Sequence, residues 1–240
     1  MRAATGSVRQ VRCRLFGRPV QTWLARIAPP HGLADQAGLR LLSDDELSRL
    51  GRLVSPQVQR EFAAGRVLTR LALSSWLGTP PRRIPLTVDA AARPMLATAG
   101  GRPAIDFNLS HSGDLVAVVV GAGLRLGVDV ELATERPTAP ALARRFFSPA
   151  ENAMLERTGE ARYTERWHRI WTTREAHAKA RGIGVKAIAA PLTGHGRVWQ
   201  RAEVPVPAGY LGSLVALAPG SGYRTDTTRS NEYPLREEDQ

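Results

Sequence analysis

In this chain of 240 residues, a few acidic and basic side chains have types and spacing suited to metal-ion and acid–base chemistry. Asp129 and Glu131 stand two apart in Leu126-Gly127-Val128-Asp129-Val130-Glu131, which reads as a strand. Both carboxylates then leave one face, while Val128 and Val130 leave the other. Two carboxylates side by side repel each other unless a cation or an arginine lies between them. Read alone, the pair is better explained by a solvated strand face, or by salt bridges to arginines such as Arg125, than by a site.

The third acid, Glu175, lies in Trp171-Thr172-Thr173-Arg174-Glu175-Ala176-His177-Ala178-Lys179. Thr172 and Glu175 have the spacing of a capping box, and Glu175 with Lys179 forms an i,i+4 pair in the favoured orientation. Against capping, the apolar stripe of Tyr163, Trp167, Ile170 and Trp171 runs straight through this point, and a helix already under way needs no cap. Glu175 and Lys179 then share one helix face, an acid beside a base. His111 closes Asn108-Leu109-Ser110-His111-Ser112, where a Ser-His-Ser turn at a strand end offers several donors to a phosphate. The remaining histidines, His31, His168, His177 and His195, lack metal-ligand spacing, so no zinc site is expected.

The elements that must position these groups can be read around them. Strands are expected over Val11–Phe16, Val20–Ile27, Ile84–Val88, Ala104–Leu109, Leu115–Val120, Leu124–Val130, Arg197–Val204 and Leu211–Ala218. Ser112-Gly113-Asp114 and Gly121-Ala122-Gly123 read as turns. Helices are expected from Ser43, whose Ser43-Asp44-Asp45-Glu46 is a capping box, over Pro56–Leu77, from Ser148 in Ser148-Pro149-Ala150-Glu151, and over Arg162–Arg181. The order of elements gives an α+β fold of two sub-halves, 10–115 and 116–222, with a flexible start over 1–9 and a disordered polar tail over 223–240.

Gly121-Ala122-Gly123-Leu124-Arg125-Leu126-Gly127 imitates a dinucleotide fingerprint, but its spacing is one residue too long. A strand follows where the fingerprint needs a helix, so the segment reads as a hairpin turn. Composition excludes other classes. The single cysteine, Cys13, excludes a disulfide framework and a thiolate cluster, and it fits a reducing, cytoplasmic setting. The N-terminal segment has no apolar core of a signal peptide, and no apolar run approaches the roughly 20 residues of a membrane helix. The net charge of +11 is almost all arginine, the only lysines being Lys179 and Lys186. It is spread along the chain, which suggests a general attraction for anions rather than a nucleic-acid arm. A nucleic-acid-binding protein remains an alternative resting on charge alone.

Four segments resemble, in order and spacing, the motif set of the Sfp-type 4′-phosphopantetheinyl transferases. They are Phe107-Asn108-Leu109-Ser110-His111-Ser112-Gly113, Gly127-Val128-Asp129-Val130-Glu131, Arg145-Phe146-Phe147-Ser148-Pro149-Ala150-Glu151, and Trp171 to Ala180. Together they span about 70 residues, far more specific than one short motif. The resemblance implies two similar α+β halves about a pseudo-twofold, with coenzyme A in the cleft between them. It implies transfer of the 4′-phosphopantetheine arm of coenzyme A to a serine of an apo acyl or peptidyl carrier protein, with magnesium; the internal duplication suggests a monomer, and the spread charge and short apolar runs suggest neither nucleic acid nor membrane as a partner. On this resemblance Asp129, Glu131 and Glu175 match the magnesium-binding acids, and Glu175, Lys179 and Asp129 the catalytic set. Lys179 matches the lysine at the cofactor phosphates, Ser110 and His111 a cofactor-contacting pair, Arg70 a basic cofactor ligand, and Arg93-Pro94 a Lys-Pro beside the adenine. The family's basic cluster for the 3′-phosphate is shortened here, leaving Arg52, Arg60 and Arg66 as candidates. A coenzyme A-binding homologue without activity is the remaining alternative, against which the intact acid triad speaks.

Overall fold

Alternation of apolar side chains explains how the layers form. In the computed structural model, which describes residues 8–27, 32–88, 93–97, 105–182, 188, 192 and 198–218, β6 (Leu115–Ala122) is buried on both faces. It lies in an antiparallel sheet of order β1-β2-β6-β5, with β1 (Arg9–Leu15), β2 (Arg18–Arg26) and β5 (Ile105–Ser112). Val116, Val118 and Val120 face the core under α3 (Pro56–Leu77). Leu115, Ala117 and Val119 face a second sheet, of order β7-β9-β8, built from β7 (Arg125–Leu132), β8 (Trp199–Glu203) and β9 (Tyr210–Leu217). Leu126, Val128 and Val130 of β7 fill that inter-sheet core. The opposite face of the second sheet is covered by α6 (Glu160–Arg181), through Ala176, Ala180, Val215 and Leu217. The result is four layers, helix, sheet, sheet, helix, and it places Asp129 and Glu131 on the face of β7 that meets α6.

The expected α+β fold of two similar halves is what the chain adopts. In the first half β2 leads through two helices, α2 (Asp44–Gly51) and α3, to the hairpin β5–β6. In the second, β7 leads through α5 (Pro149–Glu156) and α6 to the hairpin β8–β9. Both long helices run 22 residues and end on a glycine in the left-handed conformation, Gly78 (φ 67°) and Gly182 (φ 70°).

A buried strut is also duplicated. Ser43 and Ser148 open α2 and α5 with complete capping boxes, closed by Glu46 and Glu151. Each of these glutamates is gripped by an arginine of the long helix. Arg70 Nε donates to Glu46 Oε2 at 2.6 Å and Arg70 Nη1 to Ile84 O at 3.1 Å. Arg174 Nε donates to Glu151 Oε2 at 3.1 Å and Arg174 Nη1 to Ile188 O at 2.8 Å. Arg70 and Arg174 are 2% and 3% exposed, so both charges are held inside the fold by paired carboxylates and carbonyls.

Several expectations shift. β5 continues to Ser112, so Ser110 and His111 lie within a strand rather than in a turn. The expected division at 115/116 falls at the start of β6, a strand of the first sheet, and the chain passes from that sheet to the second through Gly123 (φ 66°). That turn is not a hairpin, because β6 and β7 enter different sheets. β1 starts at Arg9, inside the expected flexible 1–9. Residues 1–7 and the expected tail 223–240 lie outside the described residues. The short elements α1 (Gln36–Leu39), α4 (Ala139–Phe146) and β4 (Pro94–Leu96), the last paired with β3 (Leu86–Val88), carry too little periodicity to announce themselves. No helix among the described residues is long and apolar enough to cross a membrane.

Removing Glu151 leaves Arg174 buried without its carboxylate. Glu151→Ala is expected to lower unfolding stability by about 3–5 kcal/mol, read as a fall in urea midpoint, and the double variant Glu151→Leu with Arg174→Met is expected to recover most of the loss.

Candidate active site at the seam between the halves

β5 and β7 are edge strands of different sheets, and side chains join them instead of a backbone ladder. Every second residue of β5 turns a polar side chain toward β7 and accepts a backbone N–H of that strand. Asp106 Oδ2 accepts from Leu126 (2.8 Å), Asn108 Oδ1 from Val128 (3.0 Å), Ser110 Oγ from Val130 (3.3 Å) and Ser112 Oγ from Leu132 (3.1 Å). Four rungs of constant register therefore satisfy the unpaired amides of β7 and fix the two halves against each other.

The third rung carries the reactive cluster. Ser110 Oγ donates to Asp129 Oδ1 (2.8 Å) and accepts from Lys179 Nζ (3.0 Å) as well as from Val130 N–H, so its one donor and two lone pairs are all used. Lys179 Nζ donates also to Asp129 Oδ1 (2.6 Å) and to Val128 O (3.3 Å), and it lies 3.8 Å from Glu175 Oε2. On the next rung Ser112 Oγ donates to Glu131 Oε2 (2.8 Å), which Arg136 Nη2 also reaches at 2.8 Å. α6 can bring Lys179 this low because Gly127 has no side chain. A methyl group there would sit 2.6 Å from Ala180 N and collide with Ala176 O.

Burial and mutual repulsion set the protonation of the cluster. Burial, then the neighbouring Asp129 charge, push Glu175 up to about 7, with Glu131 adding to the rise and Lys179 opposing it. Burial likewise raises Asp129, against the contacts from Lys179 and Ser110. Asp129 Oδ2 is buried and has no hydrogen-bond partner among the described residues. With Glu175 protonated, Asp129 and Glu131 are balanced by Lys179 and Arg136. With Glu175 ionised, one negative charge is in excess.

The cluster unites five of the residues singled out in the sequence: Ser110, Asp129, Glu131, Glu175 and Lys179. The three acids are not arranged as a metal cage. Among the described residues no group of three His, Cys, Asp or Glu is placed to hold an ion, since Lys179 lies against Asp129 and Arg136 against Glu131. The donor set nevertheless suits a hard divalent cation. It is carboxylate oxygen throughout, it includes a buried acceptor without a hydrogen bond, and it contains an acid whose proton is retained to near neutrality by burial and by the Asp129 charge.

Other expected residues are elsewhere. Arg70 is not at the cluster: its Nε and Nη1 form the buried strut to Glu46, Pro81 O and Ile84 O. His111 alternates to the opposite face of β5 from Ser110, 42% exposed, with Nδ1 4.0 Å from Glu61 Oε2 on α3. Pro94 opens β4, and Arg93 is turned inward onto backbone carbonyls. Of the candidate phosphate arginines, Arg66 is buried against Glu46 and Phe62, Arg52 donates to Ser48, and Arg60 is exposed. Sequence reasoning missed Ser112, Arg136 and the rungs Asp106 and Asn108. The signal was present as the strict alternation of polar residues from Asp106 to Ser112, read only as half a strand. A cavity of about 210 Å³ between α6 and β8–β9 is lined by none of the cluster's residues, and its arginines, Arg169 and Arg201, are paired to Glu203.

Comparison with known proteins agrees with this geometry. The family described as 4′-phosphopantetheinyl transferase, N-terminal, matches residues 33–122, and the 4′-phosphopantetheinyl transferase superfamily matches residues 125–205. The two matches part at the Gly123 turn. The 4′-phosphopantetheinyl transferase HetI of Nostoc sp. is 32% identical over 172 residues, 71% of this chain and 72% of the relative. A phosphopantetheinyl transferase of Thraustochytrium sp. is 30% identical over 69% of this chain and 62% of its own. The 4′-phosphopantetheinyl transferase AcpT of Salmonella typhi is 35% identical over 50% of this chain and 58% of its own. The chain belongs to the 4′-phosphopantetheinyl transferase superfamily, enzymes that transfer the phosphopantetheine arm of coenzyme A to carrier proteins.

The raised Glu175 acid makes a pH prediction. A carboxyl whose folded value lies above its ordinary 4.5 favours the folded state fully below that pH and loses the advantage as pH rises through about 7. In chelator, stability is therefore expected to fall by about 3 kcal/mol between those limits, and Glu175→Gln is expected to remove most of that fall in urea titrations across pH.

Proposed function

We propose that this site moves 4′-phosphopantetheine from coenzyme A to a serine hydroxyl of an acidic apo carrier protein, in a magnesium-dependent step at the Asp129–Glu131–Glu175 cluster. The observation that carries the reading is the pairing of the buried, unpartnered Asp129 Oδ2 with a Glu175 that keeps its proton to about 7. Both features mark crowded, buried carboxylates whose burial and repulsion a divalent cation would relieve. Asp129 and Glu175, with Glu131, are the residues that would hold the ion, and bound magnesium would neutralise charge growing on the pyrophosphate oxygens.

The chain's own residues supply the rest. The carrier serine oxygen attacks the β-phosphorus, forming one P–O bond as the bond to 3′,5′-ADP breaks. The serine proton passes to ionised Glu175, directly or through one water. Lys179 is the mobile cation of the cluster. Its ammonium can leave Asp129 for a departing phosphate oxygen while its backbone stays in α6. His111, exposed on the α3 side of β5 beside Glu61, is assigned to the cofactor's outer phosphate on the family resemblance. The duplicated fold builds the whole cluster within one chain, which supports a monomer, and the single free thiol of Cys13 supports a cytoplasmic setting. The charge of +11 supports acidic carrier partners met by electrostatic steering. Nucleic acid is not favoured, since Trp167 and Trp171 are buried in the core of the second half instead of interleaving with surface arginines.

Intact-mass measurement of apo carriers with coenzyme A tests the reading. Wild type with magnesium is expected to add one phosphopantetheine, and chelator is expected to stop the addition. Glu175→Gln is expected to slow transfer by on the order of 100- to 1,000-fold with the fold retained. Near-normal transfer by that variant would remove Glu175 from the mechanism. The second-order rate of wild type is expected to fall as salt rises through the Debye range, and a rate indifferent to salt would count against steering.

A further inference from the structure

Arg93 bridges three elements beside the cluster. Its Nη1 donates to Lys179 O at 2.9 Å. Its Nη2 faces Phe107 O (3.1 Å), Asp106 Oδ1 (3.3 Å) and Leu126 O (3.4 Å). One guanidinium, 16% exposed, therefore ties together the last turn of α6, strand β5 of the first half and strand β7 of the second. The contact falls on the first rung of the seam, where Asp106 already accepts the Leu126 N–H. Lys179 O is one of the last four carbonyls of α6, which lack a full set of partners within the helix, and a cation there is also favoured by the helix dipole.

We infer that Arg93 is a positioning residue: it fixes the C-terminal turn of α6 on the β5–β7 seam and so keeps the Lys179 side chain within reach of Ser110 and Asp129. The inference rests on the role proposed above for Lys179. Distance explains why arginine stands here. Acceptors on three different elements must be reached at once, and a planar fork of donors spans them, whereas the single ammonium of a lysine meets them only one at a time. Since the backbone of Lys179 is the held group, its side chain remains able to move during transfer.

The test compares Arg93→Met and Arg93→Lys with wild type. Coenzyme A affinity is measured by calorimetry with magnesium, and kcat from transfer to an apo carrier, corrected for the fraction of protein that binds coenzyme A. Loosening the turn is expected to lower kcat roughly 10- to 100-fold in both variants, while the Kd for coenzyme A stays within about twofold. Retained charge is expected not to rescue Arg93→Lys. A nucleotide-binding role predicts the reverse: Kd rises with little change in kcat, and lysine restores it. That result would overturn the inference, as would an unchanged kcat in either variant. Should Arg93→Met fail to fold, Arg93→Lys is judged by the same two readouts. A wild type that binds coenzyme A but transfers nothing would instead refute the functional reading, which separates the two failures.

Discussion

The rest of the structure depends on a single serine hydroxyl. Ser110 Oγ joins strand β5 to the Val130 amide of β7, to the Asp129 carboxylate and to the Lys179 ammonium. Through it one atom links both halves of the molecule and the long helix of the second. A hydroxyl is suited to this because it donates once and accepts twice, and here all three capacities are used. The carboxylates can be crowded at this point only because the surrounding amides, hydroxyls and cations are already satisfied. What remains unsatisfied is the second oxygen of Asp129 and the charge of Glu175.

The two halves share construction but not chemistry. Each sets a capping-box glutamate against an arginine of its long helix, and each hangs a hairpin from that helix. The strut makes each helix a rigid platform. In the second half the platform carries Glu175 and Lys179 one turn apart, facing β7. In the first half the positions that correspond to them, counted from the paired arginines Arg70 and Arg174, are Leu71 and Ser75, which carry no charge. The site is therefore a feature of the seam, and neither half alone has all its members. Gly127 matters for the same reason, since its missing side chain lets α6 approach close enough for Lys179 to reach across.

Much of this could be read in the amino-acid sequence. The Pro56–Leu77 helix matched residue for residue, because a serine cap, a proline at its first position and a glycine past its end mark both limits. Strand and helix periodicity put Asp129 with Glu131, and Glu175 with Lys179, on shared faces, but only the family resemblance joined the four into one site. Partners were harder to see. Arg70 and Arg93 look like anion ligands as isolated cationic residues, and only the packing shows that their acceptors are internal. Likewise the alternation Asp106, Asn108, Ser110, Ser112 indicates a polar face but not that the face is spent on another strand's amides. Long-range pairing of this kind depends on which edges the fold brings together, and local pattern carries no information about that.

The central claim is that Glu175 holds a proton near neutral pH because it is buried beside the Asp129 and Glu131 carboxylates, a repulsion that a bound divalent cation would relieve. Calorimetric titration of magnesium into the enzyme–coenzyme A complex near pH 6.5, repeated in buffers of different ionisation enthalpy, counts the protons released. Release from wild type that exceeds release from Glu175→Gln by a substantial fraction of one proton is the predicted result. Equal release from the two proteins would contradict the account.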